Sequence, residues 1–180
     1  MKSRKDVLES EGYTVCYRDQ EKYRGNGDIV KVCFASKSGE EFVAVSDSQN
    51  VTKLQAIQSR IPHMVPIAAR YEDIFLFRKA SGRLLWETDL IDNMNLVENQ
   101  LHEFANATSG LGMAHADIRP WNIYYDPGVG VQVIDWGFAI FPDVVGLSAG
   151  ILNHLSACKH TGHKTSEIDK YDVVDAVRLM

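Results

Sequence analysis

The segment from His115 to Ala139, HADIRPWNIYYDPGVGVQVIDWGFA, constrains this chain more than any other. Asn122 follows Asp117 by five residues with Arg119 between them, and Asp135 follows Asn122 by thirteen, after an apolar run. The pattern predicts a polar loop, a β-hairpin and a second polar loop at the end of the hairpin. Carboxylate and amide oxygens suit Mg²⁺, and a guanidinium suits phosphate. The segment therefore predicts a site for a metal ion and a phosphate group.

This segment resembles the catalytic loop and metal-binding triplet of protein-kinase-like phosphotransferases. The family pattern is H-x-D-x-x-x-x-N, then a hydrophobic strand and D-F-G. HADIRPWN and DWG match it, with Arg119 where protein kinases usually carry lysine and Trp136 in place of phenylalanine. The resemblance implies an α+β, bilobal protein-kinase-like fold. Residues 1–79 would form a small antiparallel β lobe with one helix, and residues 80–180 a shortened, mainly helical lobe that ends near its central helix.

The same resemblance implies ATP and Mg²⁺ as cofactors and assigns a role to each polar residue of the segment. Asp117 would accept or orient the proton of an attacking hydroxyl. Arg119 would stabilise charge on the transferred phosphoryl group, and Asn122 and Asp135 would bind the metal. His115 would be structural, holding the loop against Asp135 or nearby backbone.

A second, weaker resemblance lies upstream, in the stretch GNGDIVKV. It is similar to the kinase glycine-rich loop G-x-G-x-x-G-x-V, with Val30 in place of the third glycine. Gly25 and Gly27 would let backbone N–H groups approach phosphate closely, although a G-x-G also marks any tight hairpin. The resemblance also implies an adenine pocket. Its candidate walls are Val32, Ala44, Leu76 and Tyr124, each of which also fits an ordinary core.

The family's phosphate-binding lysine is missing. The stretch 43–46, VAVS, stands where the family has V-A-I-K, so that Ser46 takes the place of the lysine. The following predicted helix, residues 49–61, also lacks the glutamate that pairs with it. Joint loss of both partners is expected for a dispensable ion pair, because an unpaired buried charge costs several kcal/mol. Lys31 and Lys53 are candidate substitutes, although strand alternation directs Lys31 toward solvent.

Periodicity predicts the elements around these motifs. Strands are expected at 13–17, 29–35 and 42–45, and helices at 84–91 and 96–107. The resemblance implies a fourth and a fifth strand at 63–67 and 74–77, a hinge at 78–82, a helix at 49–61 and, from Lys170 onward, the start of the central helix of the large lobe. In that last helix, Asp172 would cap the backbone of the catalytic loop, as an aspartate does in the family.

Composition limits the partners and the compartment. Of the 180 residues, 19 are Lys or Arg and 24 are Asp or Glu, and the net charge of −5 argues against nucleic acid and anionic membranes as partners. No apolar run approaches a membrane span or a signal peptide, so a cytoplasmic location is expected. The three scattered cysteines fit reduced thiols. The cluster from Cys158 to His163 is interpreted as a polar loop, since no second ligand pair accompanies it.

These observations favour a Mg²⁺- and ATP-dependent phosphotransferase that transfers the γ-phosphate to a hydroxyl. The acceptor would be a protein, as for a serine/threonine kinase, and the expected partners are a protein substrate or a regulated partner kinase. The alternative is a pseudokinase or kinase mimic that acts by binding nucleotide or a partner, and the missing lysine favours it. A small-molecule kinase is a third hypothesis, since such enzymes share the IDWG motif. No stretch of this sequence, however, is long enough for their helical substrate subdomain. A fourth is a decoy that competes for the partners of a larger kinase.

Overall fold

The computed structural model describes residues 3–21, 29–46, 49–87, 93–142, 155–158, 160 and 162–178. Contacts between residues divide the chain into two compact units. The first comprises Met1–Gln55 and Val65–Lys79, and the second comprises Ala56–Met64 and Ala80–Met180. The short stretch Ala56–Met64 thus belongs to the second unit, although residues of the first unit precede and follow it in the sequence.

The first unit is built on a five-stranded antiparallel sheet with the strand order β1-β2-β3-β5-β4. The strands are β1 (Thr14–Glu21), β2 (Ile29–Lys37), β3 (Glu40–Ser46), β4 (Ile67–Tyr71) and β5 (Ile74–Arg78). Ser38 and Gly39 connect β2 to β3, both with positive φ, as the two-residue turn that suits the twist of a hairpin requires.

The first unit also contains two helices. α1 (Arg4–Ser10) precedes β1, and α2 (Gln49–Ile57) lies between β3 and β4 in the sequence. A capping box begins α1: Ser3 Oγ accepts from the Asp6 N–H, and the Asp6 carboxylate accepts from the Ser3 N–H. Val7 and Leu8 of α1 are buried in a core with one face of the sheet, which we call the α1 face. The sheet residues of that core are Cys33, Ala35, Phe42, Ala44, Ile74 and Leu76.

The second unit combines helices with a small three-stranded sheet, β6-β7-β8. Its strands are β6 (Arg83–Leu84), β7 (Ile123–Asp126) and β8 (Gly130–Val133), and its long helices are α3 (Met94–Gly110) and α4 (Thr165–Arg178). The helices α3 and α4 pack against each other. The spacing of Leu96, Val97, Leu101, Phe104 and Ala105 predicts one apolar face on α3. The structure buries all of them except Leu96, which is 47% exposed.

Three predicted elements differ from the structure. The strand predicted over 63–67 is displaced, because β4 runs from Ile67 to Tyr71 and Met64 forms only an isolated bridge. The helix predicted over residues 84–91 is wrong at its start, because Leu84 belongs to β6 and Leu85–Glu87 forms a single 3₁₀ turn. The last helix begins five residues earlier than predicted, at Thr165. Among the residues described, no helix is both long enough and apolar enough to cross a membrane.

Among the glycines that the structure describes, Gly82 has the least room for a side chain. Its φ is +80°, and a Cβ there would lie 2.1 Å from the carbonyl oxygen of Tyr125 on β7. We expect Gly82→Ala to lower the free energy of unfolding by about 2–4 kcal/mol, the sum of left-handed strain and overpacking. Urea-induced unfolding measures this loss.

Gly39→Ala is the matched control, because Gly39 has a similar φ of +85° but no atom within 4 Å of its Cβ position. Only the strain is present there, so the expected loss is about 1–2 kcal/mol. Equal losses in the two variants would show that contact with Tyr125 is not what requires glycine at position 82.

Candidate functional site

The structure brings Asp117, Asn122 and Arg119 together in the loop that precedes β7. The Asn122 amide nitrogen donates to the Asp117 side-chain oxygen Oδ2 at 2.8 Å and to its backbone oxygen at 3.0 Å. Arg119 Nε lies 3.7 Å from Asp117 Oδ1, with both side chains largely shielded from solvent. The two oxygens of the carboxylate thus face an amide and a guanidinium. This arrangement fixes the orientation of Asp117.

The β7–β8 hairpin connects this loop to Asp135. The Ile134 N–H donates to the carbonyl oxygen of Asn122 at 3.0 Å, so the start of β7 lies beside the residue that precedes Asp135. Asp135 is exposed, with a left-handed backbone (φ 61°) that aspartate and asparagine tolerate better than most residues. Its Oδ1 accepts from the Gly137 N–H at 3.4 Å, which caps the 3₁₀ turn Trp136–Phe138.

His115 is fully buried and ties the catalytic loop to the end of β8. Its Nε2 lies 2.9 Å from the carbonyl oxygen of Ile134, and its Nδ1 accepts from the Asp117 N–H at 3.3 Å. The neutral tautomer with its proton on Nε2 satisfies both contacts. The buried Trp136 ring packs edge-on against His115, 4.6 Å between centroids, and against Phe104 of α3. His115 therefore holds the loop to the backbone next to Asp135.

Two buried aspartates of α4 hold the backbone of the same loop. Asp169 accepts from the N–H groups of His115 and Ala116, at 2.8 and 2.9 Å. Asp172 accepts from the Ile118 N–H at 3.3 Å. The predicted contact of Asp172 with the loop backbone is therefore present, and Asp169 adds two shorter bonds that the prediction did not include.

The sequence prediction does not include Asp169, because the predicted helix begins one residue after it, at Lys170. The signal was available, since Asp169 and Asp172 lie three apart among the apolar residues of one helical face. Burial raises the pKa of the Asp169 carboxyl, while His115, Thr108 and the two peptide N–H groups oppose the rise. These partners are what allow a polar group to occupy a fully buried position.

Arg119 lies in a negative environment. Burial alone would lower the pKa of its guanidinium, but Cys158, Asp172 and Asp117 together raise it. Cys158, in the described stretch 155–158, is thus among the groups that act on this guanidinium. Arg119 is therefore a permanent cation within the catalytic loop.

Asn122 and Asp135 supply oxygen atoms of the kind that Mg²⁺ prefers. The Asn122 nitrogen is directed at Asp117, which makes its Oδ1 the atom of this amide suited to a metal. Two protein oxygens match the usual magnesium site, where phosphates and water complete the octahedron. Within the described ranges, no group of three or more His, Cys, Asp or Glu side chains is arranged to hold a metal ion.

Three of the predicted adenine-pocket residues lie on the first unit's sheet, on two different faces. Ala44 and Leu76 are buried in the core of the α1 face, whereas strand alternation places Val32 on the opposite face of the sheet. Tyr124 is half-buried on β7 in the second unit, where burial and Glu87 raise its pKa. Ala44 and Leu76 are therefore corrected as pocket walls, because α1 covers the side to which they point. Gly25 and Gly27 lie outside the described residues.

Ser46, at the expected lysine position, faces the α1 side as well. It pairs with Ile74 of β5, and its hydroxyl accepts a hydrogen bond from Arg4 of α1. The Arg4 guanidinium also donates to the carbonyl oxygen of Ala44 at 3.1 Å. The hydroxyl thus braces α1 against β3. On the opposite face, the neighbouring residue Val45 is apolar and 37% exposed.

Comparison with known proteins gives a result from structure alone. No protein-family model matches the sequence, and no curated protein matches it. The fold is similar to that of the kinase PK-1 of Cydia pomonella granulovirus, with a TM-score of 0.63 over 97% of this chain and 70% of that one. The chain has a protein-kinase-like fold. Sequence identity between the two is only 12%, so the likeness concerns the fold and not the activity.

The α+β fold class is therefore confirmed, with a five-stranded antiparallel sheet and several helices. Within this protein-kinase-like fold, His115, Asp117 and Asn122 lie in the segment that precedes β7, and Asp135 follows β8.

Proposed function

We propose that this chain is a Mg²⁺- and ATP-dependent phosphotransferase that transfers the γ-phosphate of ATP to a hydroxyl group, with a protein as acceptor. The observation that carries the proposal is the clamp of Asn122 on Asp117. The buried Asn122 amide donates to the carboxylate and to the backbone carbonyl of the same residue, so it satisfies its own donors and holds the Asp117 side chain in one orientation. A proton acceptor needs that orientation.

The chain's own groups then divide the work of positioning and charge neutralisation. Asp117 accepts the proton of the attacking hydroxyl through the carboxylate that Asn122 orients. Arg119 stabilises negative charge on the transferred phosphoryl group, and it cannot act as the base because it stays protonated. Asn122 Oδ1 and the Asp135 carboxylate would hold Mg²⁺. When bound, the metal ion supplies charge neutralisation at the phosphates.

For the nucleotide base, we assign the sheet face opposite α1. The α1 face is closed by Val7 and Leu8, whereas Val32 on the other face is half-exposed. The register adds Val43 and Phe77 to that face, directly paired and both half-buried. These three apolar side chains are suited to a flat aromatic base. Gly25 and Gly27 remain assigned to the phosphates.

A pseudokinase or kinase mimic is the second candidate function, and one specific observation favours it. No described residue of β3 supplies a lysine, and the hydroxyl of Ser46 is bonded to Arg4 of α1. A chain of this kind would act by binding nucleotide, or by binding a partner kinase. The polar catalytic loop is the argument against it.

ADP release from Mg-ATP by the purified protein separates the two functions. Intact-mass measurement of the same sample detects autophosphorylation. Turnover that depends on Mg²⁺ and is lost in Asp117→Asn is the expected result. Absence of turnover with retained nucleotide binding would instead establish the pseudokinase.

A further inference from the structure

His160, in the described part of the chain between β8 and α4, binds an aspartate that holds the backbone of the catalytic loop. His160 is 3% exposed and Asp172 is 1% exposed. His160 Nε2 lies 2.6 Å from Asp172 Oδ1, a short contact for a hydrogen bond to a carboxylate. The family pattern assigns no role to this residue.

Asp172 connects this histidine to the reacting groups. While one of its oxygens binds His160, the other accepts from the N–H of Ile118 at 3.3 Å. Ile118 stands between Asp117 and Arg119 in the sequence, so its peptide group sets where both side chains begin. Asp172 also contributes to the electrostatic environment of the Arg119 guanidinium. A rotation of the Asp172 carboxylate would therefore disturb the Ile118 peptide group and, through it, the positions of Asp117 and Arg119.

The turn that carries His160 is itself held in place. The His160 N–H donates to the carbonyl oxygen of Leu155 at 2.8 Å, and the His163 N–H donates to the carbonyl oxygen of His160 at 3.1 Å. The His160 ring nitrogen Nδ1 is buried and has no hydrogen-bond partner among the described residues. An apolar side chain would avoid that cost. The hydrogen bond to Asp172 is thus what the His160 imidazole provides at this buried position that an apolar side chain would not.

We propose that His160 is a positioning residue of the phosphotransfer site, which fixes Asp172 so that the Ile118 peptide holds Asp117 and Arg119 in their reactive orientation. This inference rests on the proposed function for its effect on rate. Its structural part, the restraint on the Ile118 amide, does not depend on turnover.

The test compares His160→Leu, which removes the hydrogen bond, with His160→Gln, whose amide nitrogen is placed near the position of Nε2. We expect His160→Leu to lower kcat for ADP release by about tenfold or more while KM for Mg-ATP stays within about twofold, because misplacement of a reacting group acts on the chemical step. His160→Gln should recover most of the rate. His163→Leu is the control for ring packing, since His163 is exposed, stacks on Tyr171 of α4 and lies 5.7 Å from the His160 ring between centroids.

Hydrogen exchange of the Ile118 amide gives the readout that needs no activity. We expect exchange about tenfold faster in His160→Leu than in the parent, with His160→Gln and His163→Leu close to the parent. Unchanged kcat and unchanged Ile118 exchange in folded His160→Leu would overturn the proposal, as would equal losses in the Leu and Gln variants.

Two further outcomes are distinguishable. If the parent protein releases no ADP, the proposed function fails, and Ile118 exchange alone decides whether His160 restrains the loop. If His160→Leu does not fold, His160→Asn replaces it, because asparagine is too short to reach Asp172. Equal Ile118 exchange in the Asn and Gln variants would then contradict the role of the hydrogen bond.

Discussion

Replacing Asp117 by asparagine is expected to lower turnover of Mg-ATP by about 10²–10⁴-fold, the usual contribution of a general base. Asparagine keeps the size of the side chain but cannot accept a proton from the attacking hydroxyl. Binding of Mg-ATP should stay within about threefold of the parent, because the proposed metal ligands are Asn122 and Asp135 and a base acts on the transition state rather than on ground-state binding. Steady-state ADP release and equilibrium nucleotide titration measure the two quantities.

Asp175→Asn is the control for the loss of one negative charge, since Asp175 is exposed on α4 and lies 3.7 Å from Arg178. It should turn over at the parent rate. Full activity of Asp117→Asn would remove Asp117 from the mechanism, even if Mg-ATP turnover itself were established.

Replacing Asp135 by asparagine should weaken Mg²⁺-dependent nucleotide binding by about ten- to a hundredfold or more, the scale set by losing a metal ligand's support. Asparagine is the informative substitution because it tolerates the left-handed backbone at this position and retains an oxygen that can accept from the Gly137 N–H. Alanine would add backbone strain to the loss of charge. Thermal stabilisation by ADP with and without Mg²⁺ reports the change, because a ligand that binds only the native state raises its stability.

Asp126→Asn is the matched control for this variant. Asp126, at the end of β7, accepts from the N–H two residues ahead, at Gly128, just as Asp135 accepts from Gly137. It has no assigned role in metal binding, so the Mg²⁺ effect should persist. If Asp135→Asn showed the same Mg²⁺-dependent stabilisation as the parent, Asp135 would not be a metal ligand.

The catalytic segment could be predicted because its information is local. Asp117, Arg119 and Asn122 lie within six residues, and a two-stranded hairpin is the shortest route from there to Asp135. Each contact that defines this group joins residues of one continuous stretch, from the Asn122 clamp to the bond between Ile134 N–H and Asn122. Sequence spacing therefore determines the geometry almost directly.

The nucleotide face could not be predicted in the same way. The similarity of VAVS to the family's V-A-I-K made Ala44 a candidate wall of the adenine pocket. A shift of one residue, however, moves a side chain to the other face of a strand. The choice between Ala44 and Val43 depends on which face α1 covers, and α1 is more than thirty residues away in sequence. The same coverage explains why Leu76 points into the core.

The anchoring of the loop shows the same division. The family resemblance suggested an aspartate in the last helix, and the structure shows two, Asp169 and Asp172, with His160 bound to the second. By itself, the sequence determined the polar residues of the loop before β7 and their order, because hairpins and loops are set by neighbours in the chain, and through the resemblance it determined the protein-kinase-like fold. Only the tertiary structure decided which strand face α1 covers and which side chains hold the backbone of the loop. The contacts of α1 with β3 join residues more than thirty apart, and those of Asp169 and Asp172 with the loop join residues more than fifty apart. Their pairing follows from burial rather than from spacing.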